Sequence, residues 1–186
     1  MPATKPKAAP AGAKVTRTPD IENLTVFSDA SFCHESKAGG GAFWAKGESG
    51  KVSDSFSITG AAQSHDSEVM AACEAILRLQ NHPSMLKMLE RGPKTRLVLV
   101  VDCLTVKQVL EGAEPPLCPA ARSLVDRVIA LREQLRFWLK VNHVKAHSGQ
   151  GEPRKWVNSW CDRNARAKMK ALRDAPKTSE STLSIA

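Results

Sequence analysis

No stretch of this chain approaches the roughly 18 unbroken apolar residues that a membrane-spanning helix needs. The N-terminus is positively charged but has no apolar core behind the charge, which argues against a secretory leader. The five cysteines (Cys33, Cys73, Cys103, Cys118 and Cys161) are odd in number and form no Cys-x-x-Cys pair. That pattern excludes a disulfide framework or a spaced structural zinc site and predicts a reducing, cytoplasmic compartment. No internal repeat is visible, and acidic residues are missing altogether from residues 1–19.

What is present is a basic chain of 186 residues with a formal net charge of +8. A charge of this sign and size favours a polyanionic partner through phosphate contacts and counterion release. The excess is uneven, because Lys5, Lys7, Lys14 and Arg17 supply half of it within the first 19 residues. Residues 1–20 contain little to bury and read as a disordered basic tail, and residues 176–186 as a second loose tail. Residues 21–175 are long enough for a single domain with its own core.

Within that domain the hydrophobic periodicity changes in kind. Leu24–Phe32 alternates as a half-buried strand, Ser36–Gly41 reads as a glycine-rich turn, and Gly41–Lys46 and Lys51–Thr59 follow as two more strands. Asp54 is the one exception on the apolar parity of the third. Ser64 or Asp66 offers an N-cap for a helix carrying Val69, Cys73, Ile76 and Leu77 at helical spacing. Arg96–Val101 is a continuous apolar run with β-branched residues, as expected of a strand buried on both faces. A short helix from Leu104 to Glu111 and a longer one opened by Pro119 come next, then a strand over Phe137–Val144 and a last helix over Trp156–Leu172. The order β-β-β-α-β-α-α-β-α combines an antiparallel meander with parallel strand-helix-strand passages. It predicts a mixed five-stranded α/β sheet flanked by helices.

Four carboxylates occupy positions where an acid makes little structural sense. Asp29 and Asp102 end apolar strands, and Glu68 and Asp162 lie near the starts of helices. If the fold brings them together, their repulsion requires divalent cations. Hard oxygen ligands suit Mg²⁺, and two such ions about 4 Å apart serve both sides of an in-line phosphodiester hydrolysis. Each residue alone has a duller reading: a strand-ending turn for Asp29, a helix-dipole acid for Glu68, a cap for Asp102, a solvent-facing position for Asp162. Trp156 and Trp160, at i and i+4, read as core packing.

The stretches Ser28-Asp29-Ala30-Ser31, Ser67-Glu68-Val69-Met70-Ala71-Ala72, Val101-Asp102-Cys103, His143-Val144-Lys145-Ala146-His147-Ser148-Gly149 and Asn158-Ser159-Trp160-Cys161-Asp162, in this order, resemble the ribonuclease H family of type 1. The resemblance spans about residues 22–172. It implies the ribonuclease H-like fold and cleavage of the RNA strand of RNA–DNA hybrids by two Mg²⁺ ions, for which Mn²⁺ can substitute. The metal ligands would be Asp29, Glu68, Asp102 and Asp162, and His147 would assist proton or product departure. Ser31, Arg154, Lys155, Asn158, Arg163 and Arg166 are the expected nucleic-acid contacts, and a monomer is the expected state. His147 and Asp162 are further apart than is usual in the family, which predicts an enlarged loop beside the site. Two alternatives stay open: a nuclease of the same superfamily with another nucleic-acid substrate, and a catalytically silent hybrid-binding module.

Overall fold

The computed structural model describes residues 20–144 and 152–175. The two tails, apart from Asp20, and His147 lie outside the described residues, as does the side chain of Arg154.

Five strands form one mixed sheet: β1 (Glu22–Phe32), β2 (Gly39–Gly47), β3 (Gly50–Ile58), β4 (Thr95–Val101) and β5 (Trp138–His143). Their spatial order is β3-β2-β1-β4-β5. The first three pair antiparallel as the predicted meander, while β4 pairs parallel with both β1 and β5. The helices are α1 (Ser64–Arg78), α2 (Pro83–Leu89), α3 (Leu104–Leu110), α4 (Pro119–Leu135) and α5 (Glu152–Asp174). The sequence pattern gives no element over α2, where Pro83 interrupts the helical spacing. Proline at the first helical position lacks only an N–H that would be unpaired there anyway, so it opens this helix instead.

Alternation along the strands divides the sheet into two unlike faces. Leu24 and Val26 of β1, Phe43 and Ala45 of β2, and Leu97 and Leu99 of β4 meet the helices α1 to α4 in one large core. The opposite parity carries Phe27, Ala42 and half-buried Trp44 and Val100, which meet Val157, Cys161 and Ala165 of α5 in a much smaller cluster. Asp54 belongs to the first parity, and its exception is resolved by α1. Arg78 reaches it at 2.9 Å, holds Glu74 at 3.0 Å and lies 4.2 Å above the centre of the Phe56 ring.

Three local expectations need correction. The glycine-rich stretch is strand rather than turn from Gly39 onward. Its reason is tertiary: a Cβ on Gly40 would sit 2.1 Å from the Ala165 carbonyl oxygen and 2.5 Å from the Met169 nitrogen, so the backbone of α5 rests directly on β2. The N-cap of α1 is Gln63, neither Ser64 nor Asp66. Asp66, 1% exposed, instead accepts from the Gln63 and Ala62 N–H groups at 3.0 and 3.1 Å and from the Cys118 N–H at 3.0 Å. It thereby ties the start of α1 to the residue that caps α4. Finally, Glu152–Lys155 are not loop. They extend α5 at its N-terminal end by more than one turn.

Candidate metal centre

β1 outruns its parallel neighbour. The β1–β4 ladder covers Glu22–Phe27 against Thr95–Val100, and beyond Phe27 the strand pairs with β2 alone. Carrying the register Phe27↔Val100 two residues further sets Asp29 beside Asp102, where the ladder has split open. A crevice at the carboxyl ends of diverging strands is where open α/β sheets place ligands. Asp102 is also not the cap of α3, since that position is filled by Cys103.

Glu68 comes to the same crevice from α1. Its height is fixed by Asp66, two residues earlier, through the three backbone N–H bonds on that buried carboxylate. The result is a group in which one carboxylate oxygen each from Asp29, Glu68 and Asp102 lies within 4.8 Å of the others. Asp162 stands outside this group. It is 48% exposed and ion-paired to Arg166 at 3.0 Å, one turn along α5. Cys161, buried at its side, points its thiol at the Phe27 carbonyl from 3.9 Å and anchors this part of α5 next to the strand end.

The electrostatics record this crowding. Burial pushes the Asp29 carboxyl up to about 7, helped by Asp102 and Asp162, while the Ala30 N–H, 2.8 Å from its Oδ1, and Arg166 pull the other way. Burial pushes Glu68 up to about 9, with Asp29 and Asp102 adding to it and the Ala30 N–H again opposing. Half-buried acids held against each other at this spacing are costly as ions without a counter-charge. Ser28 and Ser67, immediately before Asp29 and Glu68, bury hydroxyls that have no hydrogen-bond partner among the described residues. An unpaired buried hydroxyl costs roughly 1–3 kcal/mol. The donors are hard carboxylate oxygens, the set that Mg²⁺ or Mn²⁺ prefers.

The other expected site residues are spread along the rim. Ser31 is half-buried two residues beyond Asp29, opposite Gly40. Lys155, Asn158, Arg163 and Arg166 are exposed on α5, Arg166 being engaged by Asp162. Trp160 packs half-buried on the small cluster as expected, but Trp156 is 56% exposed and is not core. The sequence pattern gave no site role to His143, whose Nε2 lies 3.0 Å from the Asp102 carbonyl oxygen, or to Gly40, which sets how closely α5 approaches the sheet. The triple glycine was the available signal for the second.

No protein-family model matches the chain, and no curated protein matches it in sequence. Solved structures do match it. The N-terminal RNase H domain of Rv2228c from Mycobacterium tuberculosis is 16% identical at a TM-score of 0.56, covering 81% of this chain and 96% of that one. RNase H1 from the halophilic archaeon Halobacterium salinarum NRC-1 is 16% identical at 0.57, covering 80% and 98%. LC11-RNase H1, whose structure in complex with an RNA/DNA hybrid is known, is 12% identical at 0.55, covering 79% and 96%. At such identities the likeness is one of architecture, and it agrees with the strand order and helix placement found above. The chain has the ribonuclease H-like fold.

Proposed function

We propose that this protein is a divalent-metal-dependent endoribonuclease that hydrolyses the RNA strand of RNA–DNA hybrids. The observation that carries this reading is the convergence of the Asp29, Glu68 and Asp102 carboxylates within 4.8 Å at the split end of the β1–β4 ladder. Asp29, between Glu68 and Asp102 in origin and felt by Asp162, would be the ligand common to two Mg²⁺ ions. Glu68 and Asp102 would complete one side and Asp162 the other. When bound, the two ions would lower the pKa of a water nucleophile and neutralise the departing 3′-oxygen, giving 5′-phosphate products.

The chain's own groups then have separate duties. Asp162 can exchange its Arg166 partner for a cation at little cost, because an exposed i,i+4 ion pair contributes only about 0.3–0.5 kcal/mol. Lys155, Asn158, Arg163 and Arg166 are exposed on α5 and would contact a nucleic-acid backbone, as would Arg154 and, on the strand beside Asp29, Ser31. His147 would take or deliver a proton near neutrality.

The test is a strand-labelled hybrid assayed with and without Mg²⁺ or Mn²⁺, beside matched DNA and RNA duplexes. Cation-dependent cuts confined to the RNA of the hybrid are expected, and Asp29→Asn should remove them. Cation-dependent cleavage of a DNA or RNA duplex instead would move the protein to another substrate. Hybrid binding without any cleavage or cation uptake would make it a silent binding module.

A further inference from the structure

On the second face α5 packs on β1, β2 and β3, and among the described residues the end of that face away from Asp29 carries exposed or half-exposed side chains on all five strands. Across this face, one register row runs through all five strands: Lys51, Lys46, Thr25, Val98 and Lys140. The three lysines are exposed, and Thr25 and Val98 form a half-exposed floor between them. The next row contributes Arg96, exposed and steadied by the Asn23 side chain at 2.8 Å, directly beside Trp138, which is 58% exposed. None of these positions carries a carboxylate. Glu22, the acid at the start of β1, is on the other parity and is buried against Arg91.

Folding alone does not account for this arrangement. Lys46 and Lys51 sit directly opposite each other, and like charges in that relation destabilise a sheet. Lysines guard exposed sheet edges in many proteins, yet Lys46 and Arg96 lie on the interior strands β2 and β4. An exposed tryptophan beside a row of cations is the composition that binds single-stranded nucleic acid. Phosphates take the cations, and a base stacks on the indole with no demand on sequence. The row crosses four inter-strand steps of about 4.8 Å, roughly 19 Å in all, enough for several consecutive nucleotides.

We propose that this open face, built from Lys46, Lys51, Arg96, Trp138 and Lys140, is a binding platform for single-stranded nucleic acid. In the setting of the proposed nuclease activity, on which this part rests, it holds an unpaired strand flanking the hybrid. From the Thr25 row to Asp29 is four residues along β1, about 13 Å.

Binding of a labelled oligothymidylate by the full-length protein, read by fluorescence anisotropy over a salt series, tests the platform separately from cleavage. Wild type should bind, and Trp138→Ala and Lys140→Glu should each weaken binding by roughly tenfold. The salt slope should fall by about one for each cation removed. Trp138→Phe should keep most of the affinity, and none of these changes should slow cleavage of a short blunt hybrid. Absence of binding by wild type, or equal binding by all variants, overturns the proposal. So does a dimer in sedimentation that Trp138→Ala dissociates, which would assign the face to a second copy of the chain. If binding behaves as stated but no cleavage of any substrate is found, the nuclease reading falls and the platform stands.

Discussion

The two faces of the sheet are built to different standards. On the first, Leu24, Val26, Phe43, Leu97 and Leu99 are fully buried under α1 to α4, and Met85, Met88 and Leu89 of the short α2 seal one end. On the second, five buried residues join α5 to the sheet, and its closeness comes from Gly40 as much as from apolar area. The first face holds the fold together, and the second leaves surface free for ligands. The candidate metal centre sits on the seam. Glu68 is delivered by a helix of the first face and Asp29 and Asp102 by the strand ends, while Asp162 stands outside the group on the helix of the second face.

The contrast can be broken most sharply at the seam. Asp29→Asn should lower cation-dependent hybrid cleavage by roughly a thousandfold, the loss of several kcal/mol of metal-borne stabilisation. The circular dichroism spectrum should be unchanged. Retention of near-wild-type turnover would exclude Asp29 from the centre.

Next in size is the core of the first face. Phe43→Ala should cost about 3–5 kcal/mol in urea unfolding, since the ring is fully buried and its loss leaves a cavity. Its counterpart on the open face, Val98→Ala, should cost far less, because Val98 is already half-exposed. Comparable losses at both positions would show the second face to be covered.

Metal-free protein should show the charge crowding directly. Below about pH 3 both carboxyls are largely protonated in the folded and unfolded chains alike. As pH rises, the unfolded chain releases its protons first, while Asp29 and Glu68 retain theirs until about 7 and about 9. The folded state therefore binds more protons in that window, and these two groups make its stability fall with rising pH. Their contribution is complete once pH passes about 9. Asp29→Asn should flatten the fall, raising stability at pH 8 by on the order of 1–3 kcal/mol relative to wild type. Mn²⁺ or Mg²⁺ should have the same sense of effect on wild type and little on the variant. A wild-type and Asp29→Asn difference that is independent of pH would remove the crowding argument.

The smallest expected change in stability with a large consequence for the site is Gly40→Ala. The added methyl meets backbone atoms of α5, so the helix must move off β2. A stability loss of about 1–3 kcal/mol is expected from the overpacking. Cleavage should fall further than Val157→Ala makes it fall, because Asp162 is displaced along with the helix. Equal effects of the two substitutions on cleavage would deny Gly40 a positioning role.

Much of this architecture was legible from local pattern. The three-strand meander, the buried run of β4 and the apolar stripes of α1 and α4 follow from side-chain periodicity, which depends only on neighbours in the chain. The acids were legible too, as carboxylates at the ends of elements that had no use for them. Less visible were features caused by distant partners. Glycine at 40 reads as a turn until α5 is seen lying on it, and Asp66 reads as a cap until Cys118 is seen donating to its other oxygen. Trp156 has the spacing of a core residue, yet the sheet beneath that part of α5 does not cover it.

By itself, then, the sequence determined the kinds and order of every element but α2, and supplied four acids of metal-preferring chemistry. Those depend on residue types and periodicity along the chain. Tertiary structure alone decided that β1 outruns β4, so that Asp29 and Asp102 meet at an open end with Glu68. It also decided that Asp162 stands apart on a cation partner, and that strand register aligns exposed Lys51, Lys46 and Lys140 in one row with Arg96 and Trp138 beside it. Register and helix docking join residues scores of positions apart, and the energy that selects them lies in contacts no local window contains.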